Sequence, residues 1–203
     1  MTAMIDYDAG NIASVEKALH YLGDEAVLTS DPEDLRTADR IILPGVGAFG
    51  DAMERLKSRG LVESIREACG RGVPFLGICL GLQLMFDESE ESPGAAGLGL
   101  LPGKIVRFPD SADRKVPHMG WNSLQVKPGA RLFAGLPENP YVYFVHSYYL
   151  KAQDPSCVAA TAEYGLTFDA SVERGNLFGC QFHPEKSSVT GLAILKNFLA
   201  VRR

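Results

Sequence analysis

Residues 73–86, VPFLGICLGLQLMF, join two apolar segments through a single thiol. The segment 73–78 has the length and composition of a buried strand, and the segment 80–86 continues as a helix. Cys79 stands between them, with a glycine two residues to each side. In open α/β sheets, a sharp turn of the form G-x-nucleophile-x-G exposes its middle side chain beyond the carboxyl end of a strand. The stretch therefore predicts an α/β sheet with Cys79 at its functional edge.

The first half of the chain alternates strand-like and helix-like segments. Short apolar segments typical of strands are AMIDY (3–7), EAVLTS (25–30) and RIILPG (40–45), the last leading into the glycine-rich loop PGVGAFG (44–50). Apolar residues recur at helical spacing in GNIASVEKALHYLG (10–23) and LVESIREACGRG (61–72). Asn11 is the predicted cap of the first helix and Gly23 its stop. This rhythm is typical of βαβ units and predicts a largely parallel sheet.

The second half has a different character. Strand-like segments joined by turns are WNSLQV (121–126), YVYFVHSYYL (141–150), CVAATAEY (157–164), FDASVE (168–173) and LFGCQF (177–182). The segment GLAILKNFLAVRR (191–203) closes the chain as a helix. Residues 1–203 are therefore expected to form one three-layer α/β domain. Its mostly parallel central sheet would be flanked by helices and extended by antiparallel strands in the C-terminal half.

Composition excludes several classes of protein. With 203 residues, 46% of them hydrophobic, the chain is long enough for a substantial core. A net charge of −5 disfavours general nucleic-acid binding, and no apolar run is long enough to span a membrane. A strand-like segment begins almost at once, leaving no room for a signal peptide. The four cysteines form no CxxC pair, so reduced thiols and a cytoplasmic location are expected.

Cys79 is the strongest candidate nucleophile among these cysteines. The helix that follows would direct its N-terminal amides and positive dipole end toward the sulfur, which favours the thiolate. The alternative is a buried structural cysteine, the commoner fate of a lone thiol. Cys180 is expected in the core, because three residues along a strand place it on the face opposite His183. Cys69, late in a helix, and Cys157, at the start of a strand, have no flanking glycines of this kind.

A thiol nucleophile needs a base, and His183 is the best candidate. In FGCQFHPEKS, Glu185 follows two residues later, so in an extended segment it can accept the imidazole N–H and fix the tautomer. His20 is expected on a helix surface, and His118 and His146 have no acid nearby in sequence. Nucleophile, base and orienting carboxylate together give the logic of a catalytic triad. A zinc site from the same three side chains is conceivable, but nothing else supplies a metal-type ligand pair, so neither metal nor cofactor is predicted.

These residues also carry a resemblance that covers essentially the whole chain. GICLGLQLMF together with FHPE resembles the class I, triad-type glutamine amidotransferases. Five further segments narrow the resemblance to the family of glutaminase subunits of imidazole glycerol phosphate synthases: MIDYDAGNIASVEKAL, PGVGAFGDAM, DESEESPGAAGLGL, VPHMGWN and YFVHSYYL. The resemblance implies the class I amidotransferase fold.

The resemblance also implies a chemistry. Cys79 would attack the side-chain amide of glutamine, and His183 would protonate the departing ammonia and then activate water against a γ-glutamyl thioester, with Glu185 orienting it. The oxyanion would be held by the backbone N–H groups of Val46 and Leu80. Residues 44–47, PGVG, could instead cradle a phosphate, but they lack the GKS/T continuation of a Walker motif.

Further positions are assigned by resemblance only. The expected substrate contacts are Gly45, Gln83, Glu91, Ser147 and Tyr148. The expected contacts with a partner are Asn11, Ser14, Tyr148 and Lys186. That partner would be a (β/α)8-barrel cyclase, forming a heterodimer that uses the ammonia and the ribulosyl intermediate PRFAR to make imidazole glycerol phosphate and AICAR.

Two rival functions remain open at this stage. One is the glutaminase subunit of pyridoxal phosphate synthase, which the HMGWN segment and the PGVG loop disfavour. The other is a non-catalytic scaffold subunit of amidotransferase type, against which the intact Cys79, His183 and Glu185 argue.

Overall fold

The computed structural model describes residues 1–8, 12–112 and 114–203. The first part of the chain alternates strands and helices, in the order β1 (Thr2–Ile5), α1 (Ile12–Tyr21), β2 (Val27–Thr29), α2 (Pro32–Thr37), β3 (Arg40–Leu43), α3 (Phe49–Ser58), α4 (Leu61–Gly70), β4 (Phe75–Ile78) and α5 (Leu80–Leu84). The remainder is mainly strands, namely β5 (Glu88–Ser89), β6 (Gly103–Arg107), β7 (His118–Ser123), β8 (Gln125–Val126), β9 (Tyr141–His146), β10 (Tyr148–Ala152), β11 (Val158–Glu163), β12 (Thr167–Arg174) and β13 (Leu177–Cys180), closed by α6 (Ser188–Ala200). Short 3₁₀ helices lie at Arg131–Phe133, Pro155–Cys157 and Pro184–Lys186.

The main sheet is mixed. Within the described ranges its order is β2-β1-β3-β4-β13-β12-β10-β6-β5, with β11 beside β12 and β8 beside β11. The five neighbours β2, β1, β3, β4 and β13 pair in parallel. The pairs β13–β12, β12–β10 and β10–β6 are antiparallel. Strands β7 and β9 form a separate antiparallel ribbon. The predicted fold, a mostly parallel sheet with antiparallel additions, is confirmed.

The core lies on both faces of the sheet, as a three-layer fold requires. Successive residues of β1 alternate between two apolar clusters, with Ala3 and Ile5 in one and Met4 in the other. All four residues of β4 are buried. Because complete burial of a large aliphatic side chain contributes roughly 1.5–3 kcal/mol, these central strands anchor the fold. No helix of the described chain is both long and apolar enough to span a bilayer.

Some elements depart from the sequence-based expectation. Helix α2 was not predicted, although Asp31 caps it by accepting the Glu33 N–H at 2.9 Å and Pro32 occupies its first turn. Helix α3 was also not predicted, and it begins at Phe49, inside the expected loop 44–50. The single strand expected over 141–150 is wrong, because the chain breaks at Ser147 and β9 and β10 join different sheets. The predicted cap Asn11 lies outside the described residues.

The sheet register brings the carboxyl ends of three strands to one edge of the sheet. Leu43 pairs with Gly77, and Ile78 pairs with Cys180, so β3, β4 and β13 end side by side. Residues 44–47, Cys79 and residues 181–183 follow these three carboxyl ends directly. Segments that are far apart in sequence therefore meet at a single place, where open α/β sheets carry their sites.

Candidate active site

The turn after β4 has the geometry that its glycines predict. Cys79 has φ +54° and ψ −107°, and its N–H donates to the Cys180 carbonyl at 2.8 Å. A Cβ on Gly81 would lie 1.8 Å from the Leu43 carbonyl oxygen, and one on Gly77 would lie 2.6 Å from the Gly81 carbonyl. Neither position has room for a side chain. The flanking glycines let helix and strand approach closely enough to hold Cys79 in this strained conformation.

His183 and Glu185 form a buried pair. The imidazole Nδ1–H donates to Glu185 Oε1 at 2.8 Å, and the two side chains are 2% and 1% exposed. Among the described residues, His183 Nε2 has no hydrogen-bond partner, so this nitrogen is free for the reacting groups. The contact forms within the 3₁₀ turn Pro184–Lys186 rather than along an extended segment, so the predicted pairing is present in a different local geometry.

The environment of His183 favours its protonated form. Burial acts to lower the pKa of His183, but the nearby Cys79 and the hydrogen-bonded Glu185 raise it to about 9. Cys79 and His183 are therefore neighbours in one pocket, with Glu185 bonded behind the imidazole.

Cys79 and His183 line one pocket of about 380 Å³. This volume suits a small polar ligand. Most of the positions expected to bind substrate or oxyanion also line it: Val46, Leu80, Gln83, Glu91, Ser147 and Tyr148. Gly45 lies just behind, where a Cβ would meet the Tyr7 hydroxyl at 2.3 Å. The structure thus brings together residues that follow the ends of β3, β4, β9 and β13.

The backbone N–H groups expected to hold the oxyanion are not available in this conformation. The Leu80 N–H donates to the Gly45 carbonyl at 3.3 Å. The N–H and C=O of a trans peptide point in opposite directions, so the Val46 N–H of the same peptide unit is directed away from Leu80. Tyr7 donates its hydroxyl to the Pro44 carbonyl at 3.0 Å, which holds the start of this segment. The predicted oxyanion hole is therefore not preformed.

Two predicted substrate contacts already have protein partners. Gln83 Nε2 donates to the Tyr148 carbonyl at 3.1 Å. Glu91 Oε2 accepts the Phe49 N–H at 2.8 Å, at the start of α3. Glu91 is thus more than a solvated charge, since it supports the helix that follows residues 44–47.

The predicted partner contacts are distributed around this edge. Ser14 is half-buried on α1, which packs against the 3₁₀ turn that carries the exposed Lys186. Tyr148 is half-buried and lines the pocket, and Asn11 lies outside the described residues.

The remaining thiols and histidines also have clear positions. Cys180 is fully buried, and burial raises its pKa well above the usual range, as expected for a core cysteine. Burial likewise raises the pKa of Cys69 to about 12, and His20 is exposed as predicted. His118 and His146 are both buried, with His118 Nδ1 2.9 Å from His146 Nε2, a pairing that their sequence positions did not indicate.

Sequence reasoning missed three other residues near the site. Gln181 is buried against Cys79, with its Nε2 3.6 Å from Sγ. Met119 and Trp121 are 62% and 54% exposed on β7. Two large apolar residues in alternation within PHMGWN were the available signal for an exposed apolar face.

Fold and site together define a class of protein. Residues 3–201 match the class-I glutamine amidotransferase family. Solved structures agree in fold: one described as a glutamine amidotransferase has TM-score 0.76 and 21% identity over 97% of this chain and 96% of its own. PurLQS from Thermotoga maritima gives TM-score 0.77 and 21% identity over 98% and 96%. The chain belongs to the class-I glutamine amidotransferase family.

Curated relatives narrow the family further. A protein of Moorella thermoacetica is 57% identical over 97% of this chain and 92% of its own length. Proteins of Syntrophotalea carbinolica and Thermosynechococcus vestitus are 51% and 50% identical over 98% of this chain and 98% and 96% of their own lengths. All three are named imidazole glycerol phosphate synthase subunit HisH. The resemblance carried by the sequence motifs is confirmed.

Proposed function

We propose that the chain is the glutaminase subunit of an imidazole glycerol phosphate synthase, which serves histidine biosynthesis by hydrolysing glutamine to glutamate and ammonia. The observation that carries this proposal is the convergence of the Cys79 turn and the His183–Glu185 pair on one pocket. The names of the relatives supply the particular pathway.

The chemistry follows from the arrangement of the pair. The Cys79 thiolate attacks the side-chain carbonyl carbon of glutamine, and His183 Nε2 gives its proton to the departing amide nitrogen, so ammonia leaves and a thioester remains. Neutral His183 then takes a proton from water, whose oxygen attacks the thioester and releases glutamate. Glu185 keeps Nδ1 protonated throughout, so that Nε2 is always the nitrogen that exchanges protons.

Ammonia requires an acceptor site, which we place on a (β/α)8-barrel cyclase that converts PRFAR to imidazole glycerol phosphate and AICAR. Support for a protein partner comes from β7, where the exposed Met119 and Trp121 share one face. Met119 pairs with Val145, which lines the pocket. A barrel that covers this ribbon, together with Ser14, Tyr148 and Lys186, would receive ammonia before it reaches bulk water.

The resting state would be poorly active. With Gly45 O bound to the Leu80 N–H, the developing oxyanion has neither of its predicted donors. Rotation of the Gly45–Val46 peptide would release Leu80 N–H and turn the Val46 N–H inward in one step. We propose that the ligand-loaded cyclase favours this second state, a population shift caused by differential binding.

A glutaminase assay tests the whole proposal. The chain is measured alone, with cyclase, and with cyclase carrying its ligand, and the rate should rise only in the complexes. Stimulation by a pyridoxal phosphate synthase instead of the cyclase would support the first alternative. Absence of glutamate release in every arm would support a non-catalytic scaffold.

A further inference from the structure

A buried amide contacts the sulfur of Cys79. Gln181 is 0% exposed and follows Cys180, the residue paired with Ile78, so it stands beside Cys79 at the ends of two neighbouring strands. Its Nε2 lies 3.6 Å from Cys79 Sγ, and its Oε1 lies 3.1 Å from Gln83 Nε2. The Gln181 N–H donates to the Ala170 carbonyl at 2.9 Å, which fixes the backbone from which this side chain extends.

The hydrogen-bond network determines which end of this amide faces the sulfur. The Tyr148 carbonyl can only accept, so Gln83 must present Nε2 to it. The second N–H of Gln83 then points at Gln181, which must accept this hydrogen bond through Oε1. Gln181 is left with Nε2 toward Cys79. The Tyr148 carbonyl therefore fixes the orientation of the Gln83 amide and, through it, that of the Gln181 amide. As a result, an N–H of Gln181 points at the Cys79 sulfur.

We propose that Gln181 is a positioning residue that holds the Cys79 sulfur in the thiolate form and aims it into the pocket. An N–H donor stabilises an anionic sulfur more than a neutral thiol, because charge-assisted hydrogen bonds are about twice as strong as neutral ones. Cys79 is only 7% exposed, so little water is available to do this instead. The consequence for glutamine hydrolysis rests on the proposed function, whereas the effect on the sulfur does not.

The test is the pH profile of Cys79 alkylation by iodoacetamide in the full chain, followed by mass spectrometry of the Cys79 peptide. Gln181→Met keeps the approximate size of the side chain but has no N–H. Its profile should shift to higher pH by about one unit, which slows alkylation at neutral pH about tenfold. Gln181→Glu keeps the shape, accepts from Gln83 and places a second negative charge beside the sulfur, so its shift should be at least as large.

Ser171→Ala is the matched control. Ser171 is also 0% exposed, pairs with Cys180 across the sheet and donates its hydroxyl to the Gly179 carbonyl at 2.7 Å. Its loss removes a buried hydrogen bond nearby without touching Cys79. This variant should lose stability and keep the wild-type alkylation profile.

Glutaminase kinetics in the cyclase complex give the second readout. For Gln181→Met, kcat should fall about tenfold at neutral pH, recover at higher pH, and change more than KM. Unshifted alkylation profiles in folded Gln181 variants would overturn the proposal, and if the Met variant does not fold, the Glu variant decides. Retention of glutaminase activity by Cys79→Ala would instead defeat the proposed function and leave the alkylation result intact.

Discussion

At the residue scale, the site depends on one side chain held in an unfavourable backbone conformation. Positive φ at a residue other than glycine, with ψ near −107°, stores about 1–3 kcal/mol. The surroundings of Cys79 enforce it, since the residues at 77 and 81 contact backbone so closely that only glycine fits. Strain of this kind persists where it directs a reactive atom into a pocket.

Cys79→Ala should abolish glutamine-dependent synthesis by the proposed cyclase complex and preserve synthesis from free ammonium, because the proposed function assigns the acceptor chemistry to the other subunit. Cys180→Ala is the control, as Cys180 is fully buried and packs in the apolar core. It should retain most of the activity. Both activities are measured on the same complexes, and a dead, folded Cys180 variant beside an active Cys79 variant would reverse the assignment.

Glu185→Gln should lower the glutaminase rate by about 10²–10⁴, less than Cys79→Ala does, because the thiol remains and only the tautomer of His183 is lost. The carboxylate also helps to raise the pKa of His183. The substitution should therefore move the histidine limb of the pH–rate profile to lower pH. A near-normal rate and an unmoved profile would exclude Glu185 from the triad.

At the scale of elements, the segment that follows β3 is the adjustable part of the site. Tyr7 anchors it through the Pro44 carbonyl, Glu91 supports the first turn of α3 just after it, and Gly47 has φ +105°. Fixed ends and a glycine inside allow the Gly45–Val46 peptide to rotate without moving either flanking element.

The isolated chain should bind glutamine yet hydrolyse it very slowly. Addition of ligand-loaded cyclase should raise the steady-state glutaminase rate at least about 10²-fold, the loss usually associated with one missing oxyanion donor. Binding is followed by calorimetry and turnover by glutamate release. Full activity of the purified chain by itself would mean that the oxyanion donors are available without the partner.

At the scale of the whole molecule, the β7–β9 ribbon is packed over the main sheet through two neutral histidines. His146 Nδ1–H donates to the Tyr148 carbonyl at 2.8 Å, so its Nε2 accepts from His118 Nδ1–H. Burial lowers the pKa of His118 from 6.5 to about 4 and that of His146 to about 3. A proton on His146 Nε2 would break this chain beside the pocket, and a proton on His118 Nε2 would face the Asn122 side-chain amide and leave a buried charge.

Stability should therefore fall in acid. Below pH 6.5 the unfolded chain binds protons at these positions that the folded chain excludes, so the free energy of unfolding decreases as the pH falls toward 4. The slope is about 1.4 kcal/mol per pH unit for each such proton. Urea unfolding between pH 6.5 and about pH 4 measures it, a range in which His183 is protonated in both states. His118→Phe should flatten the slope even if it lowers stability throughout, and an unchanged slope would contradict this origin.

Much of the fold and part of the site could be predicted from local patterns. The apolar segments of β1 to β4, helices α1 and α4, and the glycines around Cys79 act over a few residues, so sequence alone indicates them. The His183–Glu185 contact was found because the partners are only two positions apart in sequence. The break at Ser147 could not be predicted, since β9 and β10 form one continuous apolar pattern and only their pairing with β7 and β6 divides it.

The sequence by itself determined the family, the turn at Cys79 and the contact of His183 with Glu185, and it supplied the candidates for nucleophile and base. Only the tertiary structure decided that β13 lies parallel to β4, which brings Gln181 and His183 to Cys79 across about a hundred residues, and that Gly45 O engages the Leu80 N–H. The physical reason is the distance along the chain over which each interaction acts. Turns and neighbouring contacts are fixed by the residues that form them, whereas strand order, register and the rotation of a peptide depend on packing between segments distant in sequence.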